Sequence, residues 1–313
     1  SQHDIQLKQG FLVELEQHQT NLEVHINQQN IISLQNIISQ MKNAITVIQG
    51  KLSANIIFTL PQEDAHFTAQ GKADFYGVSL KYQDYRLNNM TYQTPLTFDS
   101  AGLQLYESTL HIDSIDAGVT LQQIKANVIA KNSILRLTQV QGNIFNGEFL
   151  LGDLWLDGRE QQFNINIQNI DLAQVVALQK QPGIKITGKI DGDMPFIIGK
   201  QGIRVDDGWV SNLTGGKLTI IDNPSFDSIK LQQPKLALLE NLEYTQLESN
   251  VKFTPDGWVF FDFALQGNNP DKKQSVNFNY SHQENIFSLL ESIRLVKSIE
   301  NKIEQKIIQG DRK

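Results

Sequence analysis

VNFNYSHQENIFSLLESIRL, residues 276–295, is the stretch that decides the reading of this chain. Val276, Phe278 and Tyr280 alternate with Asn277 and Asn279, and then the period changes. Alternation at every second residue predicts a strand with one apolar side. Phe287, Leu290 and Ile293 recur at helical spacing, which predicts an amphipathic helix. Ser281-His282-Gln283-Glu284 has the form of a capping box, so the helix is predicted over 281–313, its face continued by Val296, Ile299 and Ile303.

The same alternation recurs all along the chain. Phe11, Val13 and Leu15 form one apolar row, Leu22, Val24 and Ile26 another, and Val78, Leu80 and Tyr82 a third. Ile124, Ala126 and Val128 follow, then Phe163, Ile165 and Ile167, then Ile184, Ile186 and Ile190. Ile203 with Val205 and Val251 with Phe253 complete the series. One-sided strands favour an antiparallel sheet. Asn146-Gly147, Asp157-Gly158, Asp191-Gly192, Asp207-Gly208 and Asp256-Gly257 are tight-turn dipeptides, because Gly, Asn and Asp tolerate positive φ. The expectation is a mainly β meander over 1–280 with helical insertions at 31–49 and 170–180, closed by the 281–313 helix. The first insertion rests on Leu34, Ile37, Ile38, Met41, Ile45 and Ile48, with Gly50 as its stop.

Composition narrows the functional classes. The 313 residues are 40% hydrophobic and 19% charged, enough to bury a core. A net charge of −7 argues against nucleic acid, which needs a basic face. With no cysteine there are no disulfides and no thiolate chemistry. No stretch reaches the roughly 18 apolar residues of a membrane span, so any anchor is expected outside these residues.

Catalytic constellations are missing from the sequence. The six histidines are scattered, and none sits in a zinc motif. His25 and His111 fall on the polar side of strands, and His282 falls in the expected helix cap. Gly215-Gly216-Lys217 lacks the rest of a phosphate loop. Asp191-Gly192-Asp193 and Asp206-Asp207-Gly208 lack the spacing of a calcium loop and read as hairpin turns. No metal or cofactor is expected. Phe163, Phe196, Phe253, Phe261, Phe263 and Phe278 either fill a packed core, the default for apolar strand faces, or line a groove. Alternation alone does not separate the two.

From about Ile115 to Ile303 the chain resembles the C-terminal part of the YdbH family, AsmA-like proteins of Gram-negative envelopes. The resemblance is carried by GNIFNGEFLLGDLWLDG (142–158), IDLAQVVAL (170–178), ITGKIDGDMPFII (186–198) and DDGWVSNLTGGKL (206–218). LQGNNP (265–270) and the opening stretch at 276–295 are its most specific parts. It implies a long antiparallel sheet bent into a taco-like trough, apolar within, whose 15 to 20 strands would extend on the order of 70–100 Å. It implies phospholipid carried between inner and outer membranes through the periplasm, with an inner-membrane anchor outside this chain. The implied groove lining is Val24, Leu80, Ile124 and Val128, then Phe163, Ile165, Ile167, Ile184, Ile186, Phe196, Ile198 and Val205, then Val251, Phe253, Phe261, Phe263 and Phe278. It also implies a small outer-membrane lipoprotein that adds a strand at the edge Val276, Asn277, Phe278, Asn279 and Tyr280. The alternative is a non-catalytic scaffold for outer-membrane proteins, acting by strand addition. A glycan-cleaving enzyme lacks its paired acids here. The dicarboxylate-transport label also attached to the family finds no basic cluster to hold a dianion.

Overall fold

The computed structural model describes residues 2–7, 11–18, 20–36, 45–59, 66–179 and 182–296. Nineteen strands carry most of them, and the ladders they form are antiparallel. The mainly β, antiparallel class is therefore as expected. The chain divides into two compact units, Ser1–Gly142 with Leu151–Arg159, and Asn143–Leu150 with Glu160–Lys313.

The first unit is a meander. β1 (Gln2–Leu7), β2 (Phe11–His18), β3 (Asn21–Asn30) and β4 (Ile45–Thr59) are followed by β5 (Thr68–Tyr82), β6 (Tyr85–Asp99), β7 (Gly102–Asp116) and β8 (Thr120–Lys131). Each pairs with the next. β9 (Ile134–Ile144) takes the short β11 (Leu154–Trp155) as a partner. Directly opposed residues share a face, so register builds rows. Leu52, Phe75, Tyr92, Leu110 and Ala126 form one row, and Val24, Ile56, Gly71 and Leu96 another. Every ladder from β3–β4 to β7–β8 carries a register shift, and such bulges bend and twist strands.

The expected helical insertion over 31–49 is corrected at its end. Ile31–Leu34 is a 3-10 turn, 35–36 are α-helical, and 45–49 belong to β4. Ile37, Ile38 and Met41 lie outside the described residues. Gly50 is no helix stop: it lies inside β4, where an added Cβ would come 2.8 Å from Val78 Cα. The 3-10 turn packs Ile31 on Val47 and Val78. Gln35 holds it there, its amide donating to Ile45 O and its Oε1 accepting from Val47 N.

The second unit departs from a meander. Its strands are β10 (Gly147–Leu151), β12 (Gln161–Asp171), β13 (Ile184–Ile186), β14 (Lys189–Gly199), β15 (Gly202–Asn212), β16 (Gly216–Ile220), β17 (Asn241–Phe253), β18 (Trp258–Asn269) and β19 (Gln274–Asn285). The ladder order is β12–β14–β15–β17–β18–β19, with β13–β16 attached to the start of β17. Helix α1 (Leu172–Ala177) is capped by Asp171, which accepts from Ala173 N. Helix α2 (Pro224–Gln232) is capped by Asn223, which accepts from Phe226 N, and a 3-10 segment Pro234–Leu239 follows it. Leu239, Leu242 and Tyr244 head a buried cluster that runs through Leu247 and Val251 to Leu265 and Val276.

Three expected turns are strand interior or shifted. Asp191-Gly192 lies within β14 and Asp207-Gly208 within β15. Glycine serves close approach there: a Cβ on Gly192 would meet Trp209 O at 2.5 Å, and one on Gly208 would meet Met194 Sδ at 2.9 Å. The turn expected at Asn146-Gly147 is centred on Phe145 and Asn146, both at positive φ, and Gly147 opens β10. The capping box is also overturned. β19 runs on to Asn285, whose side chain accepts from Ser288 N and starts a helix over 286–296. Residues 297–313 lie outside the described residues.

Candidate functional site

In the second unit the strand registers place one set of side chains on a common face. Phe163 opposes Phe196, Ile165 opposes Met194, and Gln161 opposes Ile198. Phe196 opposes Val205, which opposes Phe253. Val251 opposes Phe261, Ser249 opposes Phe263, and Leu265 opposes Phe278. Ile184 and Ile186 join through Ile220 and Leu218, since Leu218 opposes Leu242. Ile167 faces Gly192 on the same side. In the first unit, Val24, Leu80, Ile124 and Val128 lie on the apolar face of their ladders, opposite Ile56, Leu87, Ile112 and Ser108.

Aromatic rings run across this face of the second unit. Phe163 stacks on Phe196 at 5.7 Å, Phe196 lies 6.2 Å from Phe253, and Phe253 meets Phe287 edge-on at 5.9 Å. Phe196 and Phe253 are two strands apart, about 9.6 Å in a flat sheet. Their rings close over Val205, only 2% exposed, so the face is locally concave. The band continues on β18 and β19, where Phe261 stacks on Phe263, and Phe278 on Tyr280. From β12 to β19 it crosses six strands, about 24 Å.

Part of this surface is open. Ile203, Tyr280 and Phe287 on this face expose 43%, 50% and 52% of their area. Its buried polar groups are consumed by the fold. Asn269 donates to Leu238 O and accepts from Lys272 N, and Asn212 donates to Thr245 O and accepts from Leu247 N. The Tyr244 hydroxyl donates to Thr187 O at 2.5 Å, and burial pushes its pKa up.

The edge expected at Val276–Tyr280 belongs to β19, which pairs with β18 along its whole length. Among the described residues its other edge has no ladder partner. Val276, Phe278 and Tyr280 face the apolar side. His282 and Glu284 join them there, opposite Phe261 and Val259, so His282 is part of the face and not of a helix cap.

Sequence reasoning missed two groupings. Glu16, Glu23 and His25 bring ligand atoms within 4.8 Å of one another on the polar side of the first unit. His25 Nε2 lies 3.4 Å from Glu23, and its Nδ1 lies 3.0 Å from Asn55 Oδ1, so both ring nitrogens are engaged within the sheet. The other is Trp155, flanked by the guanidinium groups of Arg136 and Arg159, which pair with Asp153 and Asp157. No described helix is long and apolar enough to cross a membrane.

Residues 2–308 match the YdbH-like family, described as intermembrane phospholipid transport protein YdbH, a span wider than the 115–303 stretch that carries the resemblance. A curated relative, the probable phospholipid transport protein YdbH of Escherichia coli (strain K12), is 24% identical over 271 residues, which are 82% of this chain and 30% of that protein. The chain thus spans about a third of the relative's length. No solved structure matches. The chain belongs to the YdbH-like family.

Proposed function

We propose that this member of the YdbH-like family is a segment of a periplasmic bridge that carries phospholipid between inner and outer membranes along its apolar face. The carrying observation is the open aromatic band of the second unit. An acyl chain gains about 0.8 kcal/mol per CH₂ taken from water. A continuous band spreads that gain along its length, so a chain can advance without returning to water. No bond changes in this process, and Asn212, Tyr244 and Asn269 on this face are held by structural partners. The inner-membrane anchor belongs to the part of the protein outside this chain. The free edge of β19 suits a small outer-membrane lipoprotein that adds one more strand and prolongs the face.

The test is native mass spectrometry with lipid extraction on the chain purified gently from envelopes, beside Ile165→Asp. Ile165 lies between Phe163 and Ile167 on the face, opposite Met194. Wild type is expected to carry stoichiometric phospholipid and the folded variant none. A lipid-free wild type, or a variant that binds lipid and restores transfer as well as wild type, overturns the reading. A bound peptide strand with no lipid would favour the scaffold alternative.

A further inference from the structure

The apolar face of the second unit changes character along its last strand. Val276 and Phe278 give way to Tyr280, His282 and Glu284, all on the same side by the register with Gly267, Leu265, Phe263, Phe261 and Val259. The rings remain continuous: Tyr280 and His282 stack at 6.0 Å, and His282 lies over Phe261 at 6.5 Å. The polar atoms converge. Tyr280 OH is 3.4 Å from His282 Nδ1, and His282 Nε2 is 3.9 Å from Glu284 Oε2. Gln179, just past α1 and 103 residues away in sequence, brings its Nε2 to 3.3 Å from His282 Nε2.

These groups differ from the buried and half-buried polar groups elsewhere on the face. Asn212, Tyr244 and Asn269 are held by bonds of 2.5–3.0 Å and are spent on the fold. Gln179, Tyr280, His282 and Glu284 meet at 3.3–3.9 Å, longer than a settled hydrogen bond, and Tyr280 is half exposed. If Gln179 donates to Nε2, the imidazole proton sits on Nδ1 and faces the Tyr280 oxygen. The Tyr280 hydrogen and the second Gln179 amide hydrogen then remain for a ligand anion. Glu284 supplies an acceptor for a ligand cation a few ångströms away. Donors for an anion beside an acceptor for an ammonium, next to a wall of rings, match a zwitterionic amphiphile.

We infer that Gln179, Tyr280, His282 and Glu284 form a headgroup station for a phosphoethanolamine lipid. This rests on the phospholipid reading above. The phosphodiester takes the hydrogens of Tyr280 and Gln179, the primary ammonium reaches Glu284, and the acyl roots lie on Phe261, Phe263 and Phe278. A phosphoglycerol headgroup has an anion and no cation, so Glu284 disfavours it. The station sits on the strand with the free edge, where a lipid would leave the chain.

The test offers the full chain detergent micelles with equimolar dioleoyl-phosphatidylethanolamine and dioleoyl-phosphatidylglycerol, and bound lipids are counted by mass spectrometry. One charge-assisted bond corresponds to a preference on the order of tenfold for the ethanolamine lipid. Glu284→Gln is expected to bring the ratio towards one by lowering the bound ethanolamine lipid, with the phosphoglycerol lipid at its wild-type level. Glu284→Lys is expected to invert it. The Glu284 side chain is 34% exposed, so both variants keep the fold, checked by their melting curves. Wild type that loads both lipids equally, or a Glu284→Gln variant that keeps the preference, overturns the station and leaves the transport reading standing. Wild type that takes up neither lipid overturns both.

Discussion

The two units start from one alternating pattern and bury it in different ways. In the first, the middle of the apolar face is small: Ala54 opposes Ala73, Ile56 opposes Gly71, and Ala126 and Ala130 sit along β8. Ala54, Ala69 and Ala73 are at most 9% exposed, and a Cβ on Gly71 would come 2.0 Å from Asn55 O. The strands cover these residues with their own neighbours, and the 3-10 turn at Ile31–Leu34 covers the Val47 and Val78 end. In the second unit phenylalanines occupy the face, and much of the burial comes from segments laid over it. Val175 of α1, Phe226 of α2, Leu236 and Leu238 of the 3-10 segment, and Ile286 all pack on its core. Alternation therefore says which side is apolar. Side-chain size decides whether the neighbours close that side or covering segments are laid over it.

The largest effect should come from swapping the two strategies. Leu242 is fully buried beneath the covering segments of the second unit. Leu242→Ala is expected to cost about 2–5 kcal/mol, the loss of transfer energy plus a cavity. Ala73→Leu in the first unit is expected to cost about 1–3 kcal/mol through overpacking. Urea midpoints measure both, and amide exchange in β17 and β5 locates them. An Ala73→Leu protein as stable as wild type would show free room above the small residues and erase the contrast.

A matched pair of glycines sharpens it further. Gly158 in the first unit and Gly257 in the second both sit at positive φ, 78° and 91°. A Cβ on Gly158 meets nothing within 4 Å, whereas one on Gly257 would lie 2.3 Å from the Phe287 ring. Gly158→Ala should cost about 1–2 kcal/mol for the backbone alone. Gly257→Ala should cost more by the displacement of Phe287, with a change in the emission of the adjacent Trp258. Equal losses in melting temperature would mean that Phe287 swings aside freely and that the 286–296 helix is no packed cover.

What was legible in the sequence follows from the range of each signal. Period two is local, so Phe163, Ile165, Phe196, Val205 and Phe253 could be assigned to one side from their neighbours, and the ladders carry the rows across strands. Asp191-Gly192 was misread because one dipeptide serves two purposes. Glycine permits a turn, but it also permits Trp209 O to come within 2.5 Å of a missing side chain. The helix expected over 31–49 overruns at its end, because Ile45 and Ile48 keep the helical period across the start of β4. The convergence of Gln179 on His282 has no local signal, since 103 residues separate them. The Glu16, Glu23 and His25 group was within reach: the β2–β3 register opposes Glu16 with Glu23 and Glu14 with His25.

The smallest effect tests the contrast at a single atom in each unit. Tyr92 in the first and Tyr244 in the second are both buried on the apolar face, and burial raises the pKa of both phenols. Tyr244 donates to Thr187 O, while the Tyr92 hydroxyl, with Thr94 two residues along the same face, makes no hydrogen bond of good geometry among the described residues. Removing a partnered buried hydroxyl leaves the other partner unpaired, and removing an unpartnered one does not. Tyr244→Phe should therefore lower stability by about 1 kcal/mol, and Tyr92→Phe should be neutral or stabilising. The sign of the pH dependence follows from the raised values. The neutral phenols favour the fold, so their contribution is complete below the unfolded tyrosine pKa of about 10 and is lost as pH rises through the folded values. Denaturation midpoints at pH 8 and above pH 10 should fall for wild type, and each Phe variant should flatten that fall. Equal losses at pH 8 for the two variants would mean that both hydroxyls are bonded, and that the first unit's face is as well satisfied as the second's.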